Sequence, residues 1–257
     1  MYMTDAISSF DSFAKTYDKV MGDTGDNTHQ KTIDPALFQA IGDFKDKVIY
    51  DMGCGNGYIA RKFARDGAKE VWASDISEEL VKIAQERYEN PDNKIKYFAR
   101  DAANFDEIPE DYFDLVTMNM AIFYIADFKK LVEGVYKILK AEGRFIFTTA
   151  HPLRILGKID AKKEKDESKI NLESVLENSR NYLNVREEVV YNSWNGKKDL
   201  KLYNAPLSFY INTMSEHRLL VDSFVEPKTV TVIDDVNNLT RTESNIPLVY
   251  AIGAKKV

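Results

Sequence analysis

The chain is 257 residues long, 44% hydrophobic and 30% charged, with 35 Lys and Arg against 41 Asp and Glu and a formal charge of -6. That supplies one sizeable core and excludes a disordered chain, and the absence of a basic excess disfavours a nucleic-acid partner, because neutralising phosphates leaves a cationic footprint. The single cysteine, Cys54, excludes an internal disulfide and a multi-cysteine metal site, so no metal is expected and a reducing, cytoplasmic setting fits. The N-terminus is too acidic for a signal peptide, and Asn119 interrupts the longest apolar run, which is too short for a membrane span.

Ala6, Ile7, Phe10, Phe13, Ala14, Tyr17, Val20 and Met21 recur at helical spacing behind Thr4 and Asp5, so an amphipathic helix opens the chain. Gly22 to His29 reads as a polar loop, and Asp34-Pro35 supplies an N-cap and an N1 proline for a short helix ending near Gly42. From Lys47 strands and helices alternate. Val48 to Met52, Glu70 to Ser74, Ile95 to Ala99, Phe113 to Met118 and Gly143 to Thr149 are the predicted strands; helices are predicted over Asn56 to Arg65, after Ser77 up to Asn90-Pro91, and from Asp127 to Leu139. Such alternation makes an α/β fold with a parallel sheet and helices on both faces.

The rhythm then breaks. Residues 157–169 are a mixed-charge run with little to bury, expected as a solvated helix face or a loop. Val189 to Trp194 and Leu200 to Tyr203 flank Asn195-Gly196, a hairpin signal because both turn residues tolerate positive φ. Pro206 starts a helix, and Leu219 to Val225 and Pro247 to Ala254 are the last two strands.

The stretch Val48-Ile-Tyr-Asp-Met-Gly-Cys-Gly-Asn-Gly-Tyr58 runs from strand through three alternate glycines into helix, a turn in which the backbone comes close to a ligand because no Cβ intervenes. It lacks the GxGxxG spacing of dinucleotide folds and the Gly-Lys-Ser/Thr of a phosphate loop. The order Asp51-x-Gly53-x-Gly55-x-Gly57 resembles motif I of the class I S-adenosylmethionine (SAM)-dependent methyltransferases. Thr149-Ala-His151-Pro152, the stretch Ala205 to Asn212, and Val225-Glu-Pro227 are similar to the type-11 small-molecule branch, related to the quinone-biosynthesis enzymes. Glu216-His-Arg-Leu219 departs from that branch, where Ala-Gly-Phe is usual.

The resemblance implies a Rossmann-like, seven-stranded, mostly parallel sheet with the last strand antiparallel. It implies one methyltransferase domain over 1–257: an N-terminal helical arm (1–46), a SAM-binding βα core (47–150), an inserted β-hairpin lid (151–205) and a completion of the core (206–257). In an open parallel sheet ligands bind beyond the carboxyl ends of the strands, where this chain has polar groups after every strand. Asp75, followed by Ile76, stands where the family's ribose-binding acid lies, and a carboxylate accepts two vicinal hydroxyls well. Asp101 with Ala102 matches the adenine side. Gly53, Cys54, Gly55 and Gly57 form the turn; Asp51, Asn119 and Met120 suit the methionine end, and Tyr17 on the arm is expected to cover the cofactor. His29, Tyr124, Trp194, Tyr203 and Tyr210 are candidates for the acceptor pocket, each also readable as packing. His151, after strand five, is the candidate general base, with a structural His-Pro turn as its alternative.

The expected activity is methyl transfer from SAM to an O, N or C nucleophile of a small molecule, yielding S-adenosylhomocysteine, by a monomer or homodimer. Two alternatives stay open: a catalytically silent SAM-binding protein, and an NAD(P)-dependent oxidoreductase, for which Tyr136 and Lys140 have the Tyr-x-x-x-Lys spacing.

Overall fold

The computed structural model describes residues 2–88, 94–152, 182–184, 186–192, 197–235, 238–245 and 247–257. The chain opens with α1 (Tyr2–Met21), a π-helical turn (His29–Ile33) and α2 (Asp34–Ile41). The alternating core follows: β1 (Val48–Met52), α3 (Tyr58–Arg65), β2 (Glu70–Asp75), α4 (Glu78–Arg87), β3 (Ile95–Ala99), β4 (Phe113–Asn119), a 3-10 turn (Ile122–Tyr124), α5 (Phe128–Ile138) and β5 (Leu139–Ala150). Beyond it lie β6 (Arg186–Asn192), β7 (Lys197–Asn204), α6 (Leu207–Glu216), β8 (Leu219–Val225), β9 (Thr229–Asp235), β10 (Asn238–Ser244) and β11 (Val249–Lys256).

Seven strands form one sheet in the order β3-β2-β1-β4-β5-β11-β8. The first five run parallel, and β11 is antiparallel to both β5 and β8. Every residue of β1 is buried, as a parallel strand covered on both faces must be. Its alternation sorts the core: Val48, Tyr50 and Met52 join Val116, Phe145 and Phe147 beneath α5 and α6, whereas Ile49 joins Val71, Leu115 and Ile146 beneath α2 and α3. Side chains such as Phe63, Leu37, Phe113 and Leu131 are almost wholly enclosed, each stabilising the fold by roughly 1.5–3 kcal/mol relative to exposure. Arg144 ties the far side together. It donates to both oxygens of Asp222 on β8, at 2.8 and 2.7 Å, and to the Ile41 carbonyl of α2 at 2.8 Å.

Three differences from the sequence expectation have physical causes. Asp34 is no helix cap: it sits in α-helical conformation where the π-helical turn runs straight into α2, with its carboxylate buried. The stretch from Thr229 to Ser244 forms an extra hairpin, β9–β10, beside the main sheet; the alternation Thr-Val-Thr-Val ahead of Asn237-Asn238 carries that signal. β5 begins at Leu139, directly after α5, rather than at Gly143. The hairpin β6–β7 is present and antiparallel; Trp194 and Asn195-Gly196, like the charged 157–169 run and Asn90-Pro91, lie outside the described residues.

Among the described residues no helix is long and apolar enough to cross a membrane, and no cluster of three or more His, Cys, Asp or Glu could hold a metal.

The turn between β1 and α3 is closely packed. Gly57 has φ 79°, and a Cβ there would stand 2.8 Å from the Tyr97 hydroxyl and 2.9 Å from the Ala84 Cβ. Left-handed backbone costs an L-residue about 1–2 kcal/mol, and at about 2–4 °C of melting temperature per kcal/mol for a chain this size, Gly57→Ala is expected to lower Tm by at least ~2 °C in differential scanning fluorimetry. An unchanged Tm would show that the turn tolerates a side chain.

Candidate active site

A cavity of about 460 Å³ opens at the carboxyl ends of β1, β2 and β4. Its floor is the glycine turn, where Gly53 and Gly55 have φ 69° and 56°. Each approaches a neighbour closely: a Cβ on Gly53 would meet the Ala121 Cβ at 2.7 Å, and one on Gly55 would meet the Tyr17 ring and hydroxyl at 3.0 Å. Tyr17 therefore lies directly on the turn, with its phenol pushed up by burial and by Asp75.

The roof is α1, fastened at several points along its length. Ser77, which caps α4 by accepting from the Leu80 N–H at 3.1 Å, donates to Asp11 at 2.5 Å. Asn56, inside the glycine turn and fully buried, donates to Asp18 at 2.9 Å and to the Gly22 carbonyl at 2.8 Å. Arg87 on α4 grips both oxygens of Asp18 and one of Asp23. The cavity thus forms between the arm and the core.

Four acids line it: Asp26, Asp51, Asp75 and Asp101. Asp75 is 8% exposed and accepts from the Gly55 N–H at 2.8 Å and the Ser77 N–H at 3.0 Å, with burial raising its pKa against those bonds. Asp101 accepts from the Ala103 N–H at 2.9 Å, and Arg100 beside it donates to the carbonyls of Asn104 and Asp106. Asp51 is 1% exposed; Thr117 donates to its Oδ1 at 3.1 Å, while Oδ2 is buried without a partner among the described residues. Burial pushes its pKa up to about 7, with Asp75 and Asp34 adding to the effect.

Next to Asp51 runs a buried polar chain. Asp34 accepts from the Tyr58 hydroxyl at 3.0 Å and from the Asn119 amide at 3.3 Å, and burial raises it to about 6. Asn119 in turn accepts from Thr148, whose oxygen takes the Met120 N–H at 2.9 Å. That last bond holds Met120 at φ 52°, a left-handed conformation of the kind that collects at functional sites.

The lining brings together Tyr17, His29, Asp51, Gly53, Cys54, Gly55, Asp75, Ile76, Asp101, Ala102, Asn119, Met120 and Tyr124 of the residues singled out in sequence. Four others lie elsewhere. Gly57 faces Tyr97 behind the turn. Tyr210 belongs to the core under α6, 4.9 Å from the Phe128 ring and 5.5 Å from Phe147, because its helix turns that face onto β5. Tyr203 lies on β7, half-buried and outside the lining. His151 is buried at the end of β5, with Nε2 2.8 Å from Glu226 Oε1 and its ring edge-on to Tyr250, and it is not among the residues lining the cavity. Sequence reasoning missed Asp26, Asp34, Asn56 and Tyr58. The first two fell in segments read as loop and cap, and nothing in the sequence period marks the others.

The comparisons agree with this geometry. A type-11 methyltransferase-domain model matches residues 50–147. An uncharacterised protein of Haemophilus influenzae is 25% identical over 226 residues, 87% of this chain and 86% of its own length. Phosphoethanolamine N-methyltransferase 2 of Caenorhabditis elegans is 33% identical over 114 residues, 44% of this chain and 26% of that protein. A ubiquinone biosynthesis O-methyltransferase of Yersinia enterocolitica is 26% identical over 113 residues, 44% of this chain and 46% of its own. This chain therefore spans under half the length of those two named enzymes. The fold matches the solved structure of a candidate SAM-dependent methyltransferase from Listeria monocytogenes with a TM-score of 0.67 at 23% identity, covering 88% of this chain and 96% of that one. With the motif I turn, the strand-end acids and the sheet order all in place, residues 50–147 match the methyltransferase-domain family, and the fold is the α/β fold of SAM-dependent methyltransferases.

Proposed function

We propose that the chain, as a single domain with arm 1–46, core 47–150, insertion 151–205 and completion 206–257, transfers the methyl group of SAM to an O, N or C nucleophile of a small molecule and releases S-adenosylhomocysteine. The observation that carries this is the composition of this cavity. Its acids suit the cofactor, and a wall of Phe10, Phe13, Phe123 and Tyr124, with Phe10 5.1 Å from Tyr124 and Phe123 4.6 Å from it, is left over. Enclosed spaces of this size with an apolar wall and a few polar groups take small ligands. The net charge of -6 and the small-molecule substrate in the name of one relative, phosphoethanolamine, point the same way.

In this reading Asp75 takes the ribose hydroxyls through lone pairs that the Gly55 and Ser77 bonds leave over. Asp101 and Ala102 meet adenine, with Ile76 and Leu80 against its faces. The methionine arm runs the other way along the turn, and its ammonium meets the unpartnered Oδ2 of Asp51, the group in the cavity most in need of a charged donor. Tyr17 closes over the turn. The transferred methyl is already activated as a sulfonium, so the chain's work is to align donor and nucleophile and to keep water out; the fastened arm does both. The three cavity phenols Tyr17, Tyr58 and Tyr124 are all raised by burial and do not act as phenolate bases near neutral pH.

Two measurements bear on these roles. Asp75→Ala is expected to weaken SAM binding by about 1.5 kcal/mol or more, since hydrogen bonds to a charged group are worth about 1.5–3 kcal/mol, and tritiated methyl from SAM is expected to appear in the low-mass organic fraction of a metabolite extract. Unaltered affinity contradicts the ribose role, and label only in protein or RNA contradicts the small-molecule reading.

Asp51 sets a pH dependence. An aspartate lifted from 3.8 to about 7 makes the folded chain hold more protons than the unfolded one across that window. Cofactor-free stability therefore falls as pH rises from about 4 to 7 and levels off above, with Asp34 adding in the same sense up to about 6. In urea unfolding, Asp51→Asn is expected to gain on the unaltered chain between pH 5 and 8 by on the order of 1 kcal/mol. A gap independent of pH would mean that Asp51 is ionised throughout.

A further inference from the structure

The carboxylate of the cofactor's amino-acid end is so far unmatched. Asp75, Asp101 and Asp51 answer the hydroxyls, the adenine amino group and the ammonium, but an anion entering among acids needs a cation. Among the described lining residues the basic side chains are Arg100 and His29. Arg100 follows β3 next to Asp101, at the adenine end, and is engaged with the Asn104 and Asp106 carbonyls. His29 stands at the opposite end, its ring edge-on to Tyr58 at 6.1 Å, and Tyr58 leads on to Asp34 and Asn119.

The imidazole is held in one orientation. Its Nδ1 lies 2.8 Å from Asp26 Oδ1, and the same oxygen accepts the His29 backbone N–H at 2.8 Å. Those bonds keep the Asp26 carboxyl below its usual range, so it is ionised and only accepts. Nδ1 accordingly carries a hydrogen, and Nε2 is the nitrogen left to meet a ligand. Gly25 makes this seat possible: at φ 81° a Cβ would stand 2.8 Å from the His29 Cβ and 3.1 Å from the Tyr58 ring.

We propose that His29, oriented by Asp26, binds the α-carboxylate of SAM and makes the site select the intact amino-acid cofactor over its decarboxylated relative. The assignment rests on the cofactor placement argued above. With Nδ1 engaged by Asp26, His29 presents Nε2 to the carboxylate and donates to it when that nitrogen carries a hydrogen, so that the cofactor's ammonium meets Asp51 and its carboxylate meets the Asp26–His29 pair. His29 then serves the cofactor and not the acceptor, and its loss is felt before any acceptor is present.

Calorimetric titration of the full chain with two probes, SAM and decarboxylated SAM, tests this. The unaltered chain is expected to bind SAM at least ~10-fold more tightly than decarboxylated SAM, in line with one charge-assisted hydrogen bond. His29→Ala is expected to lower SAM affinity about tenfold and to leave decarboxylated SAM within about twofold. His29→Gln, which keeps an N–H without the charge, should fall between, and it carries the comparison should the alanine variant unfold. Equal losses for the two probes in a variant of unaltered Tm, or no loss for SAM, overturns the assignment. Failure of the unaltered chain to bind SAM at all is a different result, which removes the cofactor placement itself.

Discussion

Three glycines in left-handed conformation between β1 and α3 set the conditions for everything around them. Because Gly53, Gly55 and Gly57 carry no Cβ, Ala121, Tyr17 and Tyr97 each come to within 3.0 Å of where one would stand. The backbone of the turn is then free to act as a ligand surface and as a hydrogen-bond partner: the Gly55 N–H is given to Asp75 and the Cys54 N–H to the Ser74 carbonyl, at 2.8 and 2.9 Å. The turn thus fixes the strand-end acid on β2, and through Asn56 it also fixes the arm. One local constraint joins the core, the acid and the arm.

The cavity that results is electrostatically unfinished. Asp51 has an oxygen with no partner among the described residues, and it and Asp34 are both lifted toward neutral pH by burial. A buried carboxylate without a charged partner destabilises a fold, and a fold tolerates one where a cationic ligand completes it. SAM brings two positive centres and one negative. The arrangement of acids along the turn, with the Asp26–His29 pair at one end, complements that distribution.

Much of this was legible in the chain. The β-branched and aromatic run Val48 to Met52 marked the first strand, the strand-helix alternation from Lys47 marked the parallel sheet, and the glycine spacing with the strand-end acids marked the cavity, since all depend on short-range period and on spacing. What depended on long-range packing was not. Asp34 looked like a helix cap because Asp-Pro commonly is one; its burial against Tyr58 and Asn119, 24 and 85 residues away, has no local trace. Asp26 read as loop and lies outside any regular element, while His29 read as loop because the π-helical turn it opens lacks the 3.6-residue period. His151 and Tyr210 looked like site residues from their positions after β5 and Pro206, but the antiparallel strands β8 and β11 and the packing of α6 on β5 draw both out of the lining. Neither contact is encoded near those residues.

The central claim is that the fastened arm is the roof of the cofactor site, so the most direct measurement is amide hydrogen exchange with and without S-adenosylhomocysteine. The account predicts slowed exchange together in residues 9–33 and 51–58, with little change in α5 and α6. Binding that protects the turn while leaving residues 9–33 unchanged would contradict it, since the arm would then not meet the bound cofactor.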